Sequence, residues 1–234
     1  MENHPTNQER RRARRLQTIK DTALELIAED GLDGFSVHRL ADRLDLTVGA
    51  LYRYFDSVDH LLSAIQVDIL ESFDQYLGDV AHRLQEQTPL RQFVAICQAY
   101  VALDALQPER FRLIARFVSG PDPRLDTEAA KSAMEPTSRL LGHLARVIEE
   151  GQRLEQLSPG SPLDRAIIAW SSLQGMADRR KLTRLQPEVF DTKRLTRELL
   201  RSFLLGWGAQ AEDIDAALDD MPDRAFFETS LPSS

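Results

Sequence analysis

Between Ile19 and Leu62 the chain reads IKDTALELIAEDGLDGFSVHRLADRLDLTVGALYRYFDSVDHLL, and this stretch leaves little freedom in what it can fold into. Its pattern is that of three short helices, which cannot each hold together alone and must share one small core. Leu16, Ile19, Ala23, Leu26 and Ile27 recur at helical intervals and give the first helix an apolar face. Gly31 and Gly34 then break the pattern, as chain-reversing residues do. Ser36 is placed to cap a second helix whose inward face is Val37, Leu40, Ala41 and Leu44. Asp45 stands at the tight turn, where Asp is among the few non-glycine types that accept left-handed backbone. Thr47 caps a third helix running to Phe55, with Leu51 and Phe55 facing inward beside Leu46. Val48, Gly49, Tyr52 and Arg53 are left facing outward. Such geometry suits a helix-turn-helix, in which one helix is held out to enter a DNA major groove.

The outward face has the chemistry for that role. Val48 and Gly49 form a small tip that admits close backbone approach, and Tyr52, Arg53 and Tyr54 bring phenols and a guanidinium within reach of phosphates. Val48 suits a thymine methyl and Arg53 a guanine edge, with His38 reaching in from the second helix. Arg14, Ser36 and Thr47 complete the expected DNA-contacting set.

At these residues the chain resembles the TetR family of bacterial transcriptional regulators. The family's pattern is met by Ser36, Leu40-Ala41, Asp45-Leu46-Thr47 and Leu51-Tyr52-Arg53-Tyr54-Phe55, and the likeness spans roughly residues 12–65. Two positions depart from it. Asp45 stands where the family commonly has Gly, and Val58 where it commonly has a Lys that approaches a phosphate. The resemblance implies an all-α protein, with a helix-turn-helix domain followed by a larger helical domain for effector binding and dimerisation.

Net charge is −8, which by itself argues against nucleic acid. The distribution reverses that reading. Arg10, Arg11, Arg12, Arg14, Arg15 and Lys20 are opposed over residues 9–20 only by Glu9, whereas residues 211–234 carry seven Asp/Glu against Arg224. A basic arm on an acidic body is the pattern of a protein that touches DNA at one end. Between residues 31 and 60 three Arg face five Asp, so the favourable field is expected from the arm with Arg39, Arg43 and Arg53.

From Ser57 onward helical patterns dominate. Helices are expected at about 57–86, 90–106, 108–118, 125–156, 163–185 and 191–208, with Pro136 kinking or splitting the fourth. The implied domains are 1–56 for the arm and helix-turn-helix, 57–210 for the effector and dimer domain, and 211–234 for an acidic tail ordered only in part. The last two long helices are rich in large apolar groups, and the resemblance assigns them to a homodimer interface through Trp170, Leu173, Leu199, Phe203 and Trp207. The resemblance also implies a cavity for a small hydrophobic or amphipathic effector. Its expected lining is Phe73, Tyr76, Tyr100, Phe117, His143, Trp170 and Gln174.

Other classes fare poorly. The five His are scattered, without HxxxH or paired Cys to hold a metal. GxGxxG, GxxxxGK[ST] and GxSxG are all absent, so no catalytic residue, metal or cofactor is expected. The lone Cys97 sits on an apolar helical pattern as a buried thiol. No apolar run reaches membrane-spanning length and no secretory signal opens the chain, which points to the cytoplasm. The expected function is a homodimeric repressor bound to an inverted-repeat DNA operator and released by an effector. The alternative is an all-helical protein–protein adaptor that no longer binds DNA.

Overall fold

In a computed structural model, which describes residues 6–119, 127–177, 180–220 and 222–231, every regular element among the described residues is helical. The chain divides into two compact units, one of Met1–Ile69 with Arg112–Ala133 and the other of Leu70–Phe111 with Met134–Ser234.

In the first unit, α1 (Asn7–Asp30) packs against α2 (Val37–Arg43), and α2 against α3 (Val48–Leu51). The start of α1 is a reciprocal cap. Thr6 N–H donates to Glu9 at 2.6 Å and Glu9 N–H to the Thr6 hydroxyl at 3.3 Å, which holds the Glu9 carboxyl below its usual range. The Arg-rich run expected as an arm is therefore the first turns of a helix. Gly31, at φ 75°, ends α1 by returning its N–H to Ile27 at 2.9 Å. Ile19, Ala23, Leu26, Leu40, Ala41, Leu51 and Phe55 are buried, whereas Val37 and Leu44 are half-buried. Burying one such large side chain is worth about 1.5–3 kcal/mol, so a few suffice to fix three short helices.

The first unit also takes in the start of α4 (Val58–Arg83), and Lys20 binds both carboxylate oxygens of Asp68 at 2.8 and 2.7 Å. The expected boundary at residue 57 lies at the beginning of this helix.

In the second unit, α5 (Pro89–Leu106) is the central element. Thr88 caps it, Pro89 opens it, and Phe93, Val94, Ile96, Cys97, Ala99, Tyr100 and Leu103 are buried on several of its faces. A helix apolar nearly all round must be surrounded. α8 (Pro162–Ala177), α10 (Thr192–Gly206), α11 (Ala211–Asp219) and α12 (Arg224–Thr229) all pack on it. α6 (Pro108–Ser119), α7 (Thr127–Arg153) and α9 (Arg180–Leu185) complete the order.

Two expectations change, for the helix read over 163–185 and for the stretch after Gln210. The helix read over 163–185 is two helices, α8 and α9, with residues 178 and 179 outside those described. Pro136 lies inside α7 without dividing it. The stretch after Gln210 carries two helices, because Ile214, Ala217 and Leu218 form an apolar stripe that is buried. Its carboxylates meet arginines: Asp219 with Arg197 at 2.6 Å, Asp220 with Arg91 at 2.5 Å, and Asp215 with Arg201. Residues 232–234 lie outside those described.

Candidate nucleic-acid interface and buried polar layer

The third helix of the first unit is shorter than its sequence pattern suggests. Thr47 caps it, its hydroxyl accepting from Ala50 N–H at 3.2 Å, but regular helix ends at Leu51. Tyr54 N–H then reaches Leu51 carbonyl at 2.8 Å, a tighter turn that aims Tyr52 and Arg53 outward and sends Phe55 into the core. Asp45 adopts φ 52°, as the turn requires, and Leu46 N–H closes that turn on Ala41 carbonyl at 2.9 Å.

The expected DNA-contacting residues all lie in this small unit, and none of them is fully buried. Arg14, His38, Thr47, Gly49, Tyr52 and Arg53 are exposed, and Ser36, Val48 and Tyr54 half-buried. Ser36 and Thr47 use their oxygens as caps, Ser36 accepting from His38 N–H at 3.3 Å. A Cβ built on Gly49 would meet nothing within 4 Å, so the tip is open. Tyr52 leans on Phe55 with ring centroids 5.5 Å apart.

The cations sort into two groups, which the sequence pattern alone does not separate. Arg43 forms a two-pronged pair with Glu29 at 3.1 and 2.8 Å, and Arg39 pairs with Asp30. The hydrogen bond from Arg43 holds the Glu29 carboxyl below its usual range. Arg12 donates to Arg53 carbonyl at 3.1 Å and lies over the Tyr54 ring at 5.8 Å, while Arg15 reaches Leu44 carbonyl at 3.5 Å. These four serve the fold. Arg11, Arg14 and Arg53 have exposed side chains without hydrogen bonds or ion pairs among the described residues.

In the second unit some of the expected pocket residues do come together. Tyr100 donates its hydroxyl to Gln174 Oε1 and stands edge-on to Phe111, centroids 5.4 Å apart. Phe111 in turn lies 6.4 Å from Phe73 on α4, and Tyr76 is one turn further along that helix. Burial pushes the Tyr76 and Tyr100 hydroxyls well above the ordinary tyrosine range, with a hydrogen bond from Trp170 opposing the rise at Tyr100. Among these residues the Tyr76 hydroxyl and Gln174 Nε2 are buried without a hydrogen-bond partner. Phe111 was not among the expected lining. Its signal was available, since Phe111 falls on the apolar pattern that follows Pro108.

His143 does not join this layer. Its Nε2 lies 2.8 Å from Asp74 and its Nδ1 2.7 Å from Arg146. Arginine only donates, so Nδ1 accepts and the ring proton sits on Nε2, facing the carboxylate. Arg139 adds a bond to the same Asp74 at 2.9 Å, so the cluster ties α4 to α7. The side chain of Phe117 lies outside those described.

The expected dimer residues are divided. Leu173 is only 1% exposed and belongs to the chain's own core, so it is closed to a partner. Phe203 and Trp207 stack at 5.4 Å, and Trp207 meets Phe93 edge-on at 5.3 Å. Trp170 and Leu199 are half-buried. The exposed apolar groups on these helices are instead Leu163, Ile167 and Ile168 of α8 and Leu205 of α10. Among the described residues no helix is long and apolar enough to cross a membrane, and no cluster of His, Cys, Asp and Glu could hold a metal.

Comparison with known proteins agrees with this anatomy. Residues 19–65 match the bacterial regulatory proteins of the tetR family, and residues 93–203 match the tetracyclin repressor-like C-terminal domain. No curated protein matches the chain. Among solved structures, the putative regulatory protein SCO4313 is 25% identical with a TM-score of 0.65, over 85% of this chain and 99% of that one. RolR in complex with resorcinol is 17% identical with a TM-score of 0.62, over 92% of this chain and 98% of its own. FadR from Bacillus subtilis in complex with stearoyl-CoA is 16% identical with a TM-score of 0.60, over 80% and 97%. With a capped reading helix in one unit and the family's C-terminal domain in the other, this chain belongs to the TetR family of bacterial transcriptional regulators.

Proposed function

We propose that this regulator is a homodimeric repressor that binds an inverted-repeat operator and leaves it when a small effector enters its second unit. The observation that carries the DNA reading is the segregation of cations: Arg11, Arg14 and Arg53 are exposed and uncommitted in the unit that carries the open Gly49 tip, while Arg12, Arg39 and Arg43 are used internally. Val48 and Arg53 serve as base readers, with His38 beside them, and Tyr52, Tyr54 and Arg14 as backbone contacts. The second unit supplies a buried layer with unpartnered polar atoms, as a ligand-binding interior does. The likeness to structures named for resorcinol and stearoyl-CoA complexes supports a ligand role for that unit.

Pairing of two copies is assigned to the exposed faces of α8 and α10. Ile167 and Ile168 stand beside the small exposed Ser171 and Gly175, and Leu205 beside Ser202 and Gly206. Small residues between large ones let helices of two copies approach closely. The dimer gives two reading helices for the two halves of a repeat.

Release follows from linkage. α4 runs unbroken from Val58, just after the reading helix, to Arg83, past Phe73 and Tyr76. An effector that favours one placement of this helix shifts the population by its differential affinity, typically about 1–3 kcal/mol. Binding-site selection on the purified chain, followed by gel-shift titration at several salt concentrations, tests the reading. A steep salt dependence on an inverted repeat is expected. Absence of any DNA affinity would leave a helical adaptor instead.

A further inference from the structure

We propose that the part of the effector buried in the second unit is an uncharged aromatic group bearing a hydroxyl or carbonyl oxygen, held by Tyr76 and Gln174 among Phe73, Tyr100 and Phe111. The inference rests on the reading that this unit binds an effector and adds its chemical class.

The polar groups set the first condition. Gln174 spends Oε1 on the Tyr100 hydroxyl and keeps Nε2, with its two donors, buried and unpartnered at 3% residue exposure. Tyr76 is wholly buried and its hydroxyl has no partner. Native interiors leave few such atoms, because each forfeits its hydration without return. The amide asks for an acceptor oxygen, and the phenol accepts from or donates to a second one. A ligand oxygen meets both needs.

Charge sets the second condition. The buried polar side chains among the described residues are Ser63, Gln66, Gln174, Thr196 and Ser230, and none of them is ionisable at neutral pH. His143, the one basic residue of the expected lining, is committed to Asp74 and Arg146. A carboxylate or phosphate brought into the layer would lose its hydration with no buried cation among the described residues to replace it. A neutral oxygen pays no such penalty.

Ring packing sets the third. Phe111 meets Tyr100 edge-on at 5.4 Å and Phe73 at a 31° tilt at 6.4 Å, and a further aromatic ring packs against such a set in the same tilted or edge-on manner.

The test uses the full chain and small probes: phenol and 2-naphthol as neutral hydroxylated rings, benzoate and 2-naphthoate as anions of the same rings, and toluene as a ring without oxygen. Calorimetry and thermal melting read binding, and release from the selected operator duplex reads function. The neutral phenols are expected to bind and release DNA, and the anions to do neither. Tyr76→Phe should melt no lower than the parent, since it deletes an unpartnered hydroxyl. It should weaken 2-naphthol by about tenfold, the size expected for one hydrogen bond. Gln174→Leu should weaken it as well. A purely structural Tyr76 would leave probe affinity unmoved and overturn the assignment. Equal or better binding of the carboxylates would overturn the class while leaving ligand-controlled DNA binding intact. So would operator binding that ignores every probe yet responds to another small molecule. Failure of the regulator reading has a different signature, namely no operator binding in the absence of any probe.

Discussion

The Arg12 guanidinium donates through Nη2 to the backbone carbonyl of Arg53 at 3.1 Å, joining the first turns of α1 to the turn that follows the reading helix, forty-one positions later. The same guanidinium lies over the Tyr54 ring. One arginine of the basic run thus satisfies a carbonyl in the turn just after α3 and braces the Tyr54 ring beside it. Arg12→Ala is expected to lower operator affinity by a few-fold to about tenfold, as for one charge-assisted hydrogen bond. The slope of log affinity against log salt should stay as it is. Arg11→Ala and Arg14→Ala should each flatten that slope by about 0.9, as for one lost phosphate contact. Equal slope changes in all three variants would make Arg12 a phosphate contact like the others.

Gly49 separates folding from DNA binding. Its missing Cβ would meet nothing within 4 Å in the free protein, and it sits on α3, where Gly is the poorer helix former. Gly49→Ala should therefore melt higher, by up to about 1 kcal/mol of added stability. Operator affinity should fall, because the added methyl stands where the backbone approaches the duplex. A gel-shift titration giving undiminished affinity would move the closest approach away from this tip.

Pairing through α8 is checked at Ile168, which is 51% exposed and makes little of the chain's own core. Ile168→Asp should leave the monomer's helicity unchanged in circular dichroism, yet sediment as a single copy and lose affinity for the two-half operator. Sedimentation of an intact dimer would place the interface on another face.

The helices after Gln210 are expected to belong to the folding unit. Ile214 is wholly buried beneath α10 and α5, so Ile214→Ala should cost about 2–5 kcal/mol in denaturant unfolding. A loss within experimental error would mean that this segment merely rests on the surface.

Cys97 should be inert in the folded protein. It is fully buried on α5, and burial pushes its thiol far above the ordinary range, so the reactive thiolate is scarce at neutral pH. A thiol reagent at pH 8 should react only as fast as the chain opens, with full reactivity in denaturant. Fast modification in buffer would contradict the burial.

What the sequence determined is what depends on neighbours along the chain. The caps at Ser36 and Thr47, the left-handed Asp45 and the glycine ending α1 are local bargains between a side chain and its own backbone. They are legible because the partner is only a few residues away. The apolar spacing of the first helices and of α5 was legible for the same reason, since periodicity reports which face must leave water. Tertiary structure decided everything that turns on a distant partner. Arg12, Arg39 and Arg43 look like Arg11, Arg14 and Arg53 in a charge count. Only the folded unit shows which guanidinium finds a carbonyl or carboxylate within reach. His143 carries no sign in the sequence that Asp74 and Arg146 will occupy both its nitrogens. Leu173 and Ile168 are alike as apolar helix residues, yet the packing of α8 on α5 and α10 buries the first and leaves the second exposed. An acidic tail became two helices because α5, apolar on several faces, needed covering and the arginines of α5 and α10 met its carboxylates. Periodicity records how strongly a residue avoids water, and which surface shelters it is settled by packing between segments far apart in the chain.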